Sequence, residues 1–128
     1  MELIDVTFLS PVALLLLRIS VGMVFFSSGK SHATNPKERG ESMGMPASAA
    51  MVLGITEMLA AVSIILGIFT QVGAILIMIT MLGAIYKKIF EWKTGFYAEE
   101  GFGWHYDVIF FIAAFIILTT NGGLYTIY

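Results

Sequence analysis

Cysteine is absent from this chain. The absence excludes disulfide bonds, a CxxC redox pair, thiolate zinc sites and iron–sulfur clusters held by cysteine. Charged residues are scarce as well, at 12% of the sequence compared with about 25% in an average soluble domain. The formal net charge of -2 lacks the basic excess that nucleic-acid binding requires, so we expect no nucleic-acid partner. So few charges cannot cover a compact surface in water.

Long apolar runs make up most of the chain. Hydrophobic residues account for 58% of it, and the mean hydropathy is +0.87. Between residues 42 and 86 the only charged residue is Glu57, over about twice the 20 residues that one membrane crossing requires. We therefore expect a hairpin there, with its turn at Gly67–Gly73. The runs predict an all-α membrane protein, a single four-transmembrane-helix bundle over residues 1–128. The predicted helices are about 8–30, 46–66, 71–90 and 104–121.

The basic residues predict an orientation. Those outside the apolar runs lie in two polar loops, 30–45 and 87–103, and the tails and the hairpin turn have none. Because Lys and Arg favour the cytoplasmic side, we expect both loops in the cytoplasm and both termini outside. The first five residues are acidic where a signal peptide is basic, so we expect the first helix to be retained as an anchor.

Two ionisable residues stand out because they lie near the middle of the apolar runs rather than at their ends. Arg18 is in the first predicted helix and Glu57 is in the second. Each costs about 2.5–3.5 kcal/mol to insert, so such residues are usually paired or functional. The predicted helix centres place both near mid-membrane, and each shares a helix face with small residues that permit close packing. We expect Arg18 and Glu57 to form an intramembrane ion pair or pocket, which is either a structural clamp or a polar, proton-linked site.

A second polar group is expected near the membrane surface. Lys30 and His32 end the first predicted helix, and Trp104, His105 and Asp107 begin the last one. The four-helix topology brings these two ends to the same side, so the five residues predict a polar mouth above the Arg18–Glu57 pair. Ordinary interfacial anchoring is the alternative reading. With two histidines and no cysteine, we expect no metal site.

Three stretches carry a family resemblance: residues 14–30, 54–67 and 69–74. In these stretches the chain resembles the DoxX family of small bacterial and archaeal membrane proteins, including its DoxD-like members. Arg18, Lys30 and Glu57 match the family's Arg in helix one, the Lys after it and the Glu in helix two. The resemblance implies four helices, a prokaryotic plasma membrane and a link to redox metabolism, because DoxD-like members are subunits of a thiosulfate:quinone oxidoreductase.

Two functions follow as expectations. The first is a membrane subunit associated with quinone-linked or thiol/sulfur redox metabolism, with a polar intramembrane site, a bound quinone as its cofactor and other redox subunits or a second copy as partners. Arg18 would then orient an acceptor or an anion, and Glu57 would balance it or take a proton. The alternative is a non-catalytic assembly or scaffold subunit. A small transporter is a third reading, which would require an oligomer.

Overall fold

A computed structural model describes residues 3–97 and 103–127 of the chain. All of its regular elements are helical. A 3₁₀ turn at Thr7–Leu9 leads into the first helix, and a π-helical turn at Lys87–Glu91 continues the fourth. The five α-helices are α1 (Ser10–Thr34), α2 (Pro36–Met43), α3 (Ala47–Leu66), α4 (Thr70–Tyr86) and α5 (Trp104–Thr119).

Three of the helical segments are long and apolar enough to cross a membrane: Thr7–Thr34, Ala47–Leu66 and Thr70–Glu91. The fourth apolar helix, α5, has 16 residues and therefore spans about 24 Å. The predicted all-helical class is thus confirmed, with three long apolar helices and a fourth shorter one.

Small residues set the distance between α1 and α3, which pack against each other along most of their length in antiparallel directions. A Cβ added at Gly54 would lie 2.5 Å from the carbonyl oxygen of Gly29, and one at Gly22 would lie 3.2 Å from that of Ala61. The two backbones are therefore nearly in contact, as small-residue faces allow in lipid. α4 and α5 form a second close pair, which meets the first mainly between α3 and α4.

The predicted hairpin between α3 and α4 is confirmed, and its turn is shorter than expected. Gly67 ends α3 with a φ of 76°, and Phe69 precedes α4 with a φ of 48°. The Ser63 hydroxyl donates to the carbonyl of Ile68 at 2.6 Å. Because Gly67 accepts the left-handed conformation without the steric cost of a Cβ, the chain reverses in three residues.

The first predicted polar loop is partly helical, which corrects the sequence prediction. α1 continues to Thr34, and α2 occupies residues 36–43. α2 begins with Pro36, whose missing amide costs nothing at a helix start, and ends at Gly44 with a φ of 72°. The second loop likewise begins with the π-helical turn, while residues 98–102 of that loop lie outside the described residues. α5 ends at Thr119, two residues before its predicted end.

Small and aliphatic side chains fill the interior between the helices, while large apolar side chains cover the outside. Leu16, Ile79 and Ile109 are each about 60% exposed. Such a surface fits hydrocarbon rather than water. The buried core consists of Val21, Phe25, Ala60, Ala61, Ile64, Ala74, Ile77, Met81, Ala113, Ala114 and Ile117.

Candidate functional site

A cavity of about 1320 Å³ separates the α1–α3 pair from the α4–α5 pair. It occupies the half of the bundle near α2, and α2 and the π-helical turn form part of its wall. Most of its lining is apolar. Its lining includes Met23, Val52 and Ile79, each more than 60% exposed, so the cavity opens on the outer apolar surface of the bundle. It is larger than the roughly 300–1,000 Å³ of an ordinary small-molecule site.

Four polar residues form one wall of this cavity, and we call them the Glu57 cluster: Ser28 and His32 from α1, Arg39 from α2 and Glu57 from α3. Glu57 is 4% exposed. Its Oε1 lies 3.7 Å from Nδ1 of His32, and the same nitrogen lies 3.4 Å from the Ser28 hydroxyl. On the other side of the ring, His32 Nε2 lies 3.4 Å from Nη2 of Arg39.

The chemistry of these groups assigns the histidine proton. A guanidinium only donates hydrogen bonds, so the Nε2 of His32 that faces Arg39 is the accepting nitrogen. The proton of the neutral ring is then on Nδ1, which faces Ser28 and Glu57. Arg39 thereby donates to His32, and His32 in turn presents its Nδ1–H to Ser28 and to Glu57 Oε1. Glu57 Oε2 and Arg39 Nε are both buried and have no hydrogen-bond partner among the described residues.

A buried ion pair lies on the opposite wall of the cavity. Nζ of Lys88 lies 2.9 Å from Oδ2 of Asp107, whose side chain is 3% exposed. The π-helical turn carries Lys88, and Asp107 is in the first turn of α5. Burial of two charges is costly unless they meet closely, as they do here. Lys88 therefore lies toward the interior of the bundle, although it belongs to the predicted polar loop 87–103.

Arg18 lies outside the cavity and does not pair with Glu57, so the predicted ion pair is wrong. The guanidinium is fully buried, and its hydrogen bonds to the described residues all go to backbone carbonyls. Its Nε lies 2.7 Å from the oxygen of Ile64, and its Nη2 lies 3.2 Å from that of Ile65. Nη1 donates to Tyr125 at 2.6 Å and to Gly122 at 3.3 Å. We call this arrangement the Arg18 clamp.

Two of the carbonyls that accept from Arg18 lie in the last turn of α3, where carbonyls lack partners within the helix. The amides of Gly67 and Ile68 both donate to the carbonyl of Ser63, so Ile64 and Ile65 lie beyond the regular ladder of α3. A positive charge at the C-terminal end of a helix is also favoured by the helix dipole. Arg18 therefore joins α1, α3 and the C-terminal tail by direct hydrogen bonds to backbone carbonyls, and no bound anion is needed to balance it.

The register of α1 against α3 explains why the two charges do not meet. Gly29 lies opposite Gly54, which places Glu57 opposite the turn around Ser28. Arg18 lies about 15 Å farther along α1, at 1.5 Å per residue. The sequence prediction ended the first helix near residue 30 and placed its centre level with the centre of the second helix. In the structure α1 continues to Thr34, so the two helices are offset from that alignment.

The predicted polar mouth is only partly formed. His32 and Asp107 both line the cavity, on opposite walls. Lys30 is exposed on the outside of α1 and does not line it. Trp104 packs edge-on against the Phe96 ring, with 4.5 Å between centroids. His105 Nδ1 lies 2.6 Å from the Phe96 carbonyl oxygen, so both side chains brace the loop before α5.

The sequence prediction missed three members of the Glu57 cluster and of the opposite ion pair: Ser28, Arg39 and Lys88. Ser28 had a usable signal, because it lies one helical turn before His32 on the same face. Arg39 lies beyond Asn35, where α1 ends and α2 begins, so helical spacing along α1 cannot place it beside His32. Within residues 3–97 and 103–127, no group of three histidine or acidic side chains could hold a metal ion.

Comparisons with known proteins agree with this architecture. The family model of DoxX matches residues 13–91. An uncharacterized membrane protein of Mycobacterium tuberculosis, Rv3486, is 33% identical over 100 residues, which cover 72% of this chain and 61% of that protein. The chain thus spans about three fifths of the length of this relative. No solved structure matches the chain at a significant level.

Proposed function

We propose that this chain, which belongs to the DoxX family of integral membrane proteins, binds a quinone in its cavity as a subunit of a membrane redox system. The observation that carries the proposal is the pairing of two features in one cavity. The walls are mostly apolar and open toward lipid, while Glu57 and Arg39 each present a buried polar atom that has no hydrogen-bond partner in residues 3–97 and 103–127.

A quinone matches both features. Its ring carries two oxygens, which can accept hydrogen bonds from Arg39 Nε or, in the reduced form, donate to Glu57 Oε2. Its isoprenoid tail is apolar and can leave the cavity past Met23 and Val52 into the membrane. A buried polar group without a partner costs about 1–3 kcal/mol. A ligand that supplies the missing hydrogen bonds recovers that cost.

The orientation of the bundle belongs to the same proposal. α5 crosses the membrane as a fourth span. Because α5 is short, the tail that follows it, whose Gly122 and Tyr125 carbonyls accept hydrogen bonds from Arg18, covers the remaining thickness. The cavity then lies in the cytoplasmic half, beneath α2 and the basic π-helical turn. In this proposal a partner subunit oxidises the thiol or sulfur compound, and the quinone receives the electrons.

The experiment is measurement of quinone that co-purifies with the protein. The wild type, purified in mild detergent, should retain quinone well above the level carried by bulk lipid. Gly83→Phe should remove it, because Gly83 lines the cavity and a Cβ there has no atom within 4 Å, so the ring can enter without a clash. Ala13→Phe is the matched control, on an exposed position of α1 outside the cavity.

Two results would contradict the proposal. One is quinone at the bulk-lipid level in the wild type, which would favour the non-catalytic assembly subunit instead. The other is equal quinone in the wild type and in Gly83→Phe, which would place the quinone elsewhere on the protein. Thermal unfolding of both variants shows whether the added ring has disturbed the fold.

A further inference from the structure

We infer that the cavity selects the reduced form of its ligand, so that quinol binds more tightly than quinone. The inference rests on the proposed function and concerns the same site. It depends on which groups of the Glu57 cluster can donate a hydrogen bond and which can only accept one.

Glu57 is held as an acceptor by its own neighbours. Arg39 faces His32 Nε2, which leaves the Nδ1–H of His32 directed toward Ser28 and toward Glu57 Oε1, 3.7 Å away. The side of His32 that faces the carboxylate is therefore a donor. The other carboxylate oxygen, Oε2, is buried and lacks a partner among the described residues. As an acceptor, Oε2 is satisfied by a ligand that brings a hydrogen-bond donor such as an O–H group.

A quinol has that group and a quinone does not. One quinol hydroxyl can donate to Glu57 Oε2, and its oxygen can accept from the donors of the same wall. A quinone carbonyl placed against Oε2 would instead set two acceptors against each other. A hydrogen bond to a charged group contributes about 1.5–3 kcal/mol, which corresponds to a roughly ten- to hundredfold preference for quinol.

The preference also predicts a redox property. Tighter binding of the reduced form raises the midpoint potential of the bound couple, by about 30 mV for each tenfold difference in affinity of a two-electron couple. No electron or proton transfer by the chain itself is required, because the inference concerns binding alone.

The test compares three probes on the purified full chain in lipid nanodiscs under anaerobic conditions: decylubiquinone, its quinol, and the dimethyl ether of that quinol. Trp92 lines the cavity and Trp104 does not, so fluorescence of the Trp104→Phe variant reports occupancy, and calorimetry confirms the affinities. We expect quinol to bind at least tenfold more tightly than quinone. The dimethyl ether has no O–H group, so it should bind as weakly as the quinone.

Glu57→Gln should bring quinol and quinone within about threefold of each other, because an amide can donate to a quinone oxygen. Glu38→Gln, an exposed carboxylate outside the cavity, is the matched control and should keep the full preference. Equal affinities for quinol and quinone in the wild type would overturn the inference, as would a dimethyl ether that binds like quinol. Absence of binding by all three probes would instead reject the proposed function. The ether comparison leaves Glu57 unchanged, so it decides the matter even where Glu57→Gln fails to fold.

Discussion

Removal of the Arg18 clamp tests how the bundle is held together. In Arg18→Met, a side chain of similar length fills the space without its donors, and four carbonyl contacts are lost. Interhelical hydrogen bonds in membranes average about 0.6 kcal/mol each, which gives a lower figure of about 2 kcal/mol for four. At about 1.5 kcal/mol each, the low end for charged groups, four bonds give an upper figure of about 6 kcal/mol.

We therefore expect Arg18→Met to lower the free energy of unfolding by about 3–5 kcal/mol, as measured by SDS titration in mixed micelles. Arg18→Lys should lose an intermediate amount, because an ammonium cannot spread its donors over the same set of carbonyls. Lys30→Met is the matched control, an exposed cation on the same helix, and should change stability by less than about 0.5 kcal/mol. Equal stability of Arg18→Met and Lys30→Met would refute the clamp.

Three further predictions concern packing, charge and topology. Gly54→Leu should destabilise the protein by more than about 2 kcal/mol in the same titration, since its side chain meets the backbone of α1, while Gly83→Ala should be neutral. Lys88→Met should cost about 3–5 kcal/mol by leaving Asp107 buried without its cation, and adding Asp107→Leu should recover stability. Lys87→Met breaks a partly exposed pair with Glu91 and a hydrogen bond to the Met43 carbonyl, and should cost less than about 1 kcal/mol. Equal losses in the two single variants would contradict this prediction. In intact cells, an impermeant maleimide should label Tyr125→Cys and leave Glu38→Cys unlabelled. The chain has no cysteine of its own to interfere. The opposite labelling pattern would reverse the proposed orientation.

The positions of the long helices could be predicted because lipid imposes simple rules on sequence. A charge-free run of about 20 residues must be helical in hydrocarbon, and Gly67 marks where the longest run turns. α2 could not be predicted in the same way, since its eight residues are too polar and too few to show an apolar period. The stop at Gly44 and the start at Pro36 were its only signals.

The candidate site was harder to predict, because it depends on helix register. The sequence correctly indicates that Arg18 and Glu57 are buried. It pairs them wrongly, because the predicted helix centres place both near the middle of the membrane. The small residues held a better guide: aligning Gly29 with Gly54 in antiparallel fashion places Glu57 beside Ser28 and His32. Lys88 and Asp107 meet across two helices with a loop between them, so no spacing rule joins them.

Photolabelling with an azido-quinone tests the central claim most directly, because it reports where the ring lies. In native membranes, we predict that the label attaches to residues of the cavity wall on α1, α3 or α4, such as Met23, Leu53 or Thr80, and that excess unlabelled quinone prevents it. Label spread over outward-facing positions such as Leu16 and Ile109, undiminished by competitor, would contradict a quinone site in this cavity.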